Sequence, residues 1–238
     1  MFIKGAVLAV LVSLVCVVQS FSYEPPRARY SQWVGELSLG FAPTFFNIKY
    51  DDGGTDGDWW VRGFAFSCDW RTVYKPNGFC FAVKMLIGGV GSDANLLDDY
   101  GLEGFAQDAG DLNGWDCWVS CTAGKRFEYN VFTFTPTLGL GASYLFLEGD
   151  GQVSYSRYTY YYDCDVSAFQ VALCADLTFG VMFTDNVGIS ASFLVGCTLF
   201  GGVSESVDFS GAGSLTEDYN LDFGCFSFIP SLYLTARL

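Results

Sequence analysis

Large apolar residues alternate with small or polar ones in eight stretches of this chain. The stretch from 132 to 146 shows it best. Phe132, Phe134, Pro136, Leu138, Leu140, Ala142, Tyr144 and Phe146 share one face, and Thr133, Thr135, Thr137, Gly139, Gly141 and Ser143 share the other. Successive side chains of a β-strand point to opposite faces, so a period of two predicts strands. A 3.6-residue stripe through the same stretch would mix Phe with Thr and Gly on every side. The same reading gives strands over 34–47, 59–71, 79–91 and 115–124. Further strands follow around 169–179, 187–199 and 226–238. The apolar faces carry Phe, Leu, Val and Ile. The opposite faces carry Gly, Ala, Ser and Thr, which leave room inside a narrow cylinder.

The links between strands fall into two kinds. Those near 48–58, 92–114, 149–163 and 201–222 are long and acidic; those at 72–78, 125–130 and 183–186 are short. Pro76-Asn77-Gly78 is a strong turn signal. Eight strands joined long, short, long, short, long, short, long put both termini at the short-turn end. The pattern predicts an all-β chain, an eight-stranded antiparallel up-and-down transmembrane β-barrel with four long external loops and three short periplasmic turns. Aromatics fit two girdles: Trp59, Trp60, Trp115, Tyr144 and Phe146 toward the loops, and Trp33, Trp70, Tyr74 and Phe183 toward the turns.

Composition supports this picture. The 238 residues carry a net charge of −14 and yet 18% aromatics, with a mean hydropathy of +0.28. A barrel shows its apolar side chains to lipid and so needs no thick core. Lys4 followed by the apolar run Ala6–Val18 reads as a secretory signal over residues 1–20, with Val18-Gln19-Ser20 at the cleavage positions. A lipoprotein alternative at Cys16 is weakened by Leu14 and Val15, where a small residue is expected. Residues 21–33 then form a short periplasmic segment, and the barrel occupies 34–238. Localisation in the bacterial outer membrane follows.

With that layout, and with the terminal strand Phe226–Leu238, the chain resembles the small eight-stranded outer-membrane barrels. These include outer membrane proteins X and W and the outer membrane protein A barrel. The resemblance covers residues 34–238. It implies that Phe226, Phe228, Leu232, Leu234 and Leu238 form the signal read by the barrel-assembly machinery, with periplasmic chaperones as partners during biogenesis. The chain departs from the family pattern at Leu238, where Phe or Trp is usual.

The candidate chemistry is narrow. The chain has no histidine, which removes a Ser–His dyad and any His-containing metal site. No catalytic residue, metal or cofactor is expected. Glu36, Asp69, Arg71, Lys84, Asp176 and Arg237 fall on inner faces toward the turn end. Charges in a narrow interior must pair or be hydrated, so they form either a salt-bridge plug or a polar constriction. Small inner residues above them are expected to leave a cavity. The acidic run 51–58 has calcium-type ligands without EF-hand spacing, and a solvated loop is the preferred reading. Tyr158, Tyr160, Tyr161 and Tyr162 are surface-contact candidates, or loop packing. The acidic charge argues against nucleic acid.

Cys68, Cys117, Cys121 and Cys197 share faces with Phe, Val and Leu. Cys117 and Cys121 lie about 13 Å apart along one strand, too far for a disulfide. Pairing among Cys80, Cys164, Cys174 and Cys225 is left open.

The sequence therefore points to a monomeric barrel in outer-membrane lipid, a narrow passive pore or carrier for small solutes, hydrophobic ones among them. The alternative is a surface-exposed structural or ligand-binding barrel, binding an extracellular ligand, with a lumen plugged by salt bridges. A third reading, a secreted lipocalin-like barrel, would bury its apolar face inward.

Overall fold

The computed structural model of the chain describes residues 32–51, 56–92, 106–109, 112–155, 158–211, 213–221 and 225–238. The expected signal segment lies outside the described residues. So do most of the segment 21–33, the centre of the run 51–58, and much of the link 92–114.

Eight antiparallel strands close into a ring. In chain order the elements are β1 (Trp33–Asp51), β2 (Asp56–Tyr74), β3 (Phe79–Ser92), β4 (Ala106–Ala109), β5 (Leu112–Lys125) and β6 (Phe127–Tyr129). They continue with β7 (Phe132–Tyr155), β8 (Tyr158–Met182), β9 (Val187–Phe209), β10 (Gly213–Asn220) and β11 (Phe226–Arg237). β1, β2, β3, β5, β7, β8, β9 and β11 each pair with the next, and β11 returns to β1 through Glu36↔Arg237 and Leu39↔Leu234. Closure satisfies the backbone without an edge at membrane depth. β4, β6 and β10 are short additions along β7 and β9.

The alternation sorts faces as the sequence requires. Phe41, Phe64, Ile87, Leu138, Leu173 and Leu232 are exposed on the outer wall, while Ala42, Ala65, Gly141 and Ala172 face in and are buried. Trp33 packs at a tilt against Tyr74 at the turn end, with ring centroids 4.9 Å apart. Trp115 meets Tyr144 at the loop end, 5.4 Å apart.

Strand lengths differ from the expected ones. Two of the long links are largely strand. β7 and β8 pair without a break up to Tyr155↔Tyr158, and β9 continues to Phe209 to pair with β10. The reason is that alternation persists above the girdle: Tyr162, Cys164 and Val166 point inward between exposed Tyr161, Asp163 and Asp165. β7, β8 and β9 run 24, 25 and 23 residues, against 14 for β3 and 12 for β11. One side of the barrel thus rises past the other as an antiparallel wall, β10-β9-β8-β7-β4.

Candidate functional site

The lumen has two halves of different chemistry. In the turn half, every charge expected inside does face inside, and the strand register brings opposite charges together. Glu36 stands opposite both Arg71 and Arg237, and Asp69 opposite Lys84. Lys84 Nζ lies 2.7 Å from Asp176 Oδ2. Ser192 Oγ donates to Asp176 Oδ1 at 2.7 Å and accepts from Lys84 at 2.5 Å. Arg71 Nη2 donates to Asp69 Oδ2 and to Thr178 Oγ1, each at 2.9 Å. Glu36 Oε1 takes Arg126 Nη1 at 2.6 Å and Arg237 Nε at 2.8 Å. Arg237 reaches on to Glu128 at 2.8 Å. Arg126 is the member that the sequence reading placed in a turn. The short β6 and its register with β7 carry it to the mouth, where it is buried.

Hydroxyls complete this half. Ser38, Thr235 and Ser190 form a chain at 2.9 and 2.8 Å. Ser67 bonds Tyr233 at 2.7 Å, and Lys84 lies 5.7 Å from the same ring centroid. A buried charge is tolerable when its partner and its remaining hydrogen bonds are supplied, and here most are.

The loop half is mostly apolar, with Gln170, Thr198 and Ser227 joined in a small buried hydrogen-bonded group. Phe46, Ile48, Val61, Leu86, Val90, Leu112, Leu145, Leu147, Val166, Leu194 and Ile229 are buried in one cluster around Trp118. Among the described residues this cluster occupies the place expected for a cavity, and a gap within it lined by Phe46, Ile48, Leu145 and Ala168 holds about 10 Å³. Small inner residues make room for Trp118. A side chain on Gly196 would approach the indole Cη2 to 2.7 Å, and one on Gly141 its Cζ2 to 2.8 Å. The signal was in the sequence as runs apolar on both faces, Phe45-Phe46 and Tyr144-Leu145-Phe146-Leu147. Such runs mark strands that bury side chains on each side.

Asp116 does not fit that environment. It is fully buried, and neither carboxylate oxygen has a hydrogen-bond partner among the described residues. Trp118 Nε1 and Ser120 Oγ, the next inward groups on β5, are likewise unpartnered.

Above the girdle, the wall's outer face is acidic. Asp150, Asp163 and Asp208 stand directly opposite one another on β7, β8 and β9, and Glu148 opposite Asp165 one row below. All five are exposed. Like charges directly opposite destabilise a sheet.

No protein-family model matches the chain, and no curated protein matches it. Solved structures do. A major outer membrane protein from Thermus thermophilus superposes with a TM-score of 0.53 at 11% identity, covering 86% of this chain and 99% of that one. The fold is that of the outer-membrane β-barrels. The attachment invasion locus protein Ail of Yersinia pestis gives 0.41 at 14% identity, over 85% of this chain and 97% of Ail. The outer membrane protease OmpT of Escherichia coli gives 0.46 at 11%, over 87% and 96%.

Within this outer-membrane barrel the tyrosine run divides. Tyr161 is exposed on the wall, and Tyr160 is partly so at the rim. Tyr162 is not a surface group: it is buried against Phe209, ring centroids 6.1 Å apart, because its parity points it inward. The Tyr158 side chain lies outside the described residues. None of the eight described cysteines forms a disulfide. Cys80, Cys164, Cys174 and Cys225 are buried singly in the interior, and burial pushes the Cys164 thiol, above the girdle, up to about 11. Cys225 Sγ instead bonds the Lys49 carbonyl at 3.3 Å.

Proposed function

We propose that this protein is a closed-lumen outer-membrane barrel that acts through its outer surface, as a structural or ligand-binding protein and not as a pore. The observation that carries the reading is the double closure of the interior. A conducting state would need both the Trp118 cluster and the Lys84–Asp176 and Arg71–Asp69 pairs to separate. The alternative, a narrow pore or carrier for small solutes, requires that rearrangement across two unlike layers. The tall β7–β8–β9 wall, with exposed Tyr161 and its acidic rows, supplies the contact surface toward the exterior. No catalysis is assigned: the chain lacks histidine, and the lumen cations are engaged by carboxylates.

The protein would arrive by a cleaved signal over residues 1–20 and work as a monomer. Phe226, Leu232, Leu234 and Leu238 are exposed on the outer wall, with Phe228 half-buried beside them. That is a lipid-facing stripe the barrel-assembly machinery could read. The decisive experiment is purified protein in planar bilayers. The reading expects no steady ion conductance and no solute flux into loaded vesicles. A reproducible open channel from the wild-type protein would overturn it.

A further inference from the structure

We propose that the outer wall carries a discrete phospholipid site at its turn end, with an acyl chain in a cleft floored by Ala191 and the headgroup phosphate against Lys125. It rests on the orientation in which the short turns face the periplasm.

The cleft comes from one cross-strand row. Phe134, Phe179, Ala191 and Leu232 stand directly opposite one another on β7, β8, β9 and β11. Three are large and lie on the lipid face. Ala191 is the small one, and along β9 its outer-face neighbours are Ile189 and Phe193. A recess of about 450 Å³ opens over this row, lined almost wholly by apolar surface. Ala142 and Ala175 also stand small on the outer wall; the row at Ala191 differs in lying toward the turn end, beside charged side chains. Alanine at this place removes lipid-facing area that a larger residue would supply, so something else must fill it. At hydrocarbon depth an acyl chain is the natural filler.

The recess also has a polar end, which an acyl chain alone would not need. Glu128 lines it with a half-exposed carboxylate held by Arg237 at 2.8 Å. Lys125 Nζ sits 5.4 Å from the ring centroid of Phe127, which lines the recess. The exposed lysine suits a phosphate, and Glu128 suits the ammonium of an ethanolamine headgroup. Apolar recess and mixed-charge rim together match one amphiphile, a glycerophospholipid with phosphate and amine.

Native mass spectrometry of the full chain, released from detergent after titration with phosphatidylethanolamine, tests this. The expected result is one lipid bound per wild-type chain, and an apparent affinity about tenfold lower in Ala191→Trp, which fills the recess. Lys125→Gln should weaken binding while leaving the recess open, and diacylglycerol, lacking the phosphate, should not compete. Heat-modifiable migration verifies folding, and Ala191→Met replaces the tryptophan variant if that one misfolds. Equal lipid retention by wild type and filled variant would reduce the recess to ordinary annular lipid and overturn the site, as would no retained lipid at all. A dimer lost in Ala191→Trp would assign the recess to a second copy and equally overturn it. Conductance is untouched by these variants, so failure here leaves the closed-lumen reading standing.

Discussion

The two halves of the lumen close the same cylinder by opposite means. The turn half uses charges: Lys84 with Asp176, Arg71 with Asp69, and Glu36 shared by Arg126 and Arg237. The loop half uses hydrocarbon, packed around Trp118. The contrast teaches what each kind of closure depends on. Paired charges give up hydration and recover it only if every partner is in place, so the turn half depends on correct pairing. Apolar packing pays nothing for charge desolvation but depends on shape, so the loop half depends on volumes that fit, as at Gly141 and Gly196 against the indole. Asp116 violates its half. It places a carboxylate without a partner in the shape-dependent layer.

The largest expected effect breaks the shape. Trp118→Ala should lower unfolding free energy by about 3–5 kcal/mol, because the surrounding strands cannot collapse into the void. Urea titration in lipid vesicles measures it, and bilayer recording of the same variant tests whether the ion pairs alone still close the lumen. A loss under about 1 kcal/mol would mean that the indole is not the keystone of that layer. Breaking the pairing should be of similar size. Lys84→Met strands the buried Asp176 carboxylate and should lose about 3–5 kcal/mol, whereas Lys84→Met with Asp176→Leu should recover most of it. Equal losses in the single and double variants would refute the pairing argument. A smaller change of opposite sign is expected at the misfit. Asp116→Leu should gain about 1–3 kcal/mol by removing an unsatisfied buried group, and a clear loss would point to a partner that the carboxylate does have. The smallest lies outside the lumen: Asp163→Ser, in the middle of the acidic row, should gain about 0.2–1 kcal/mol, and less at high salt.

Much of the fold was legible because a membrane barrel writes its two faces directly into a period of two. From Phe132 to Phe146 the parity alone said which residues meet lipid, and the same parity put Glu36, Asp69, Lys84 and Asp176 inside. Parity gives a face, however, and not a partner or a height. Nothing in the spacing of Lys84 and Asp176, on strands three places apart around the ring, says that they touch. Arg126 looked like a turn residue because its neighbours are turn-like, and the short β6 drew it into the mouth. Tyr162 was grouped with its exposed neighbours by composition, although its parity with Cys164 and Val166 already pointed it inward. The long links misled for a related reason. Acidic residues read as solvated loop, yet they occupy the water-facing side of strands that continue above the girdle.

The sequence by itself determined the architecture: the strand class, the lipid face, the polar character of the turn half and the absence of histidine chemistry. Each of these is a local property, set by residue type and the alternation of side chains along an extended backbone. The tertiary structure alone decided that the lumen is filled. It set which charges pair, how Trp118 reaches across to Gly196, and how Ala191 comes to sit in a row of large residues. These depend on the shear with which eight strands close on one another. Shear sets which residues share a level in the barrel, and no single strand carries that information.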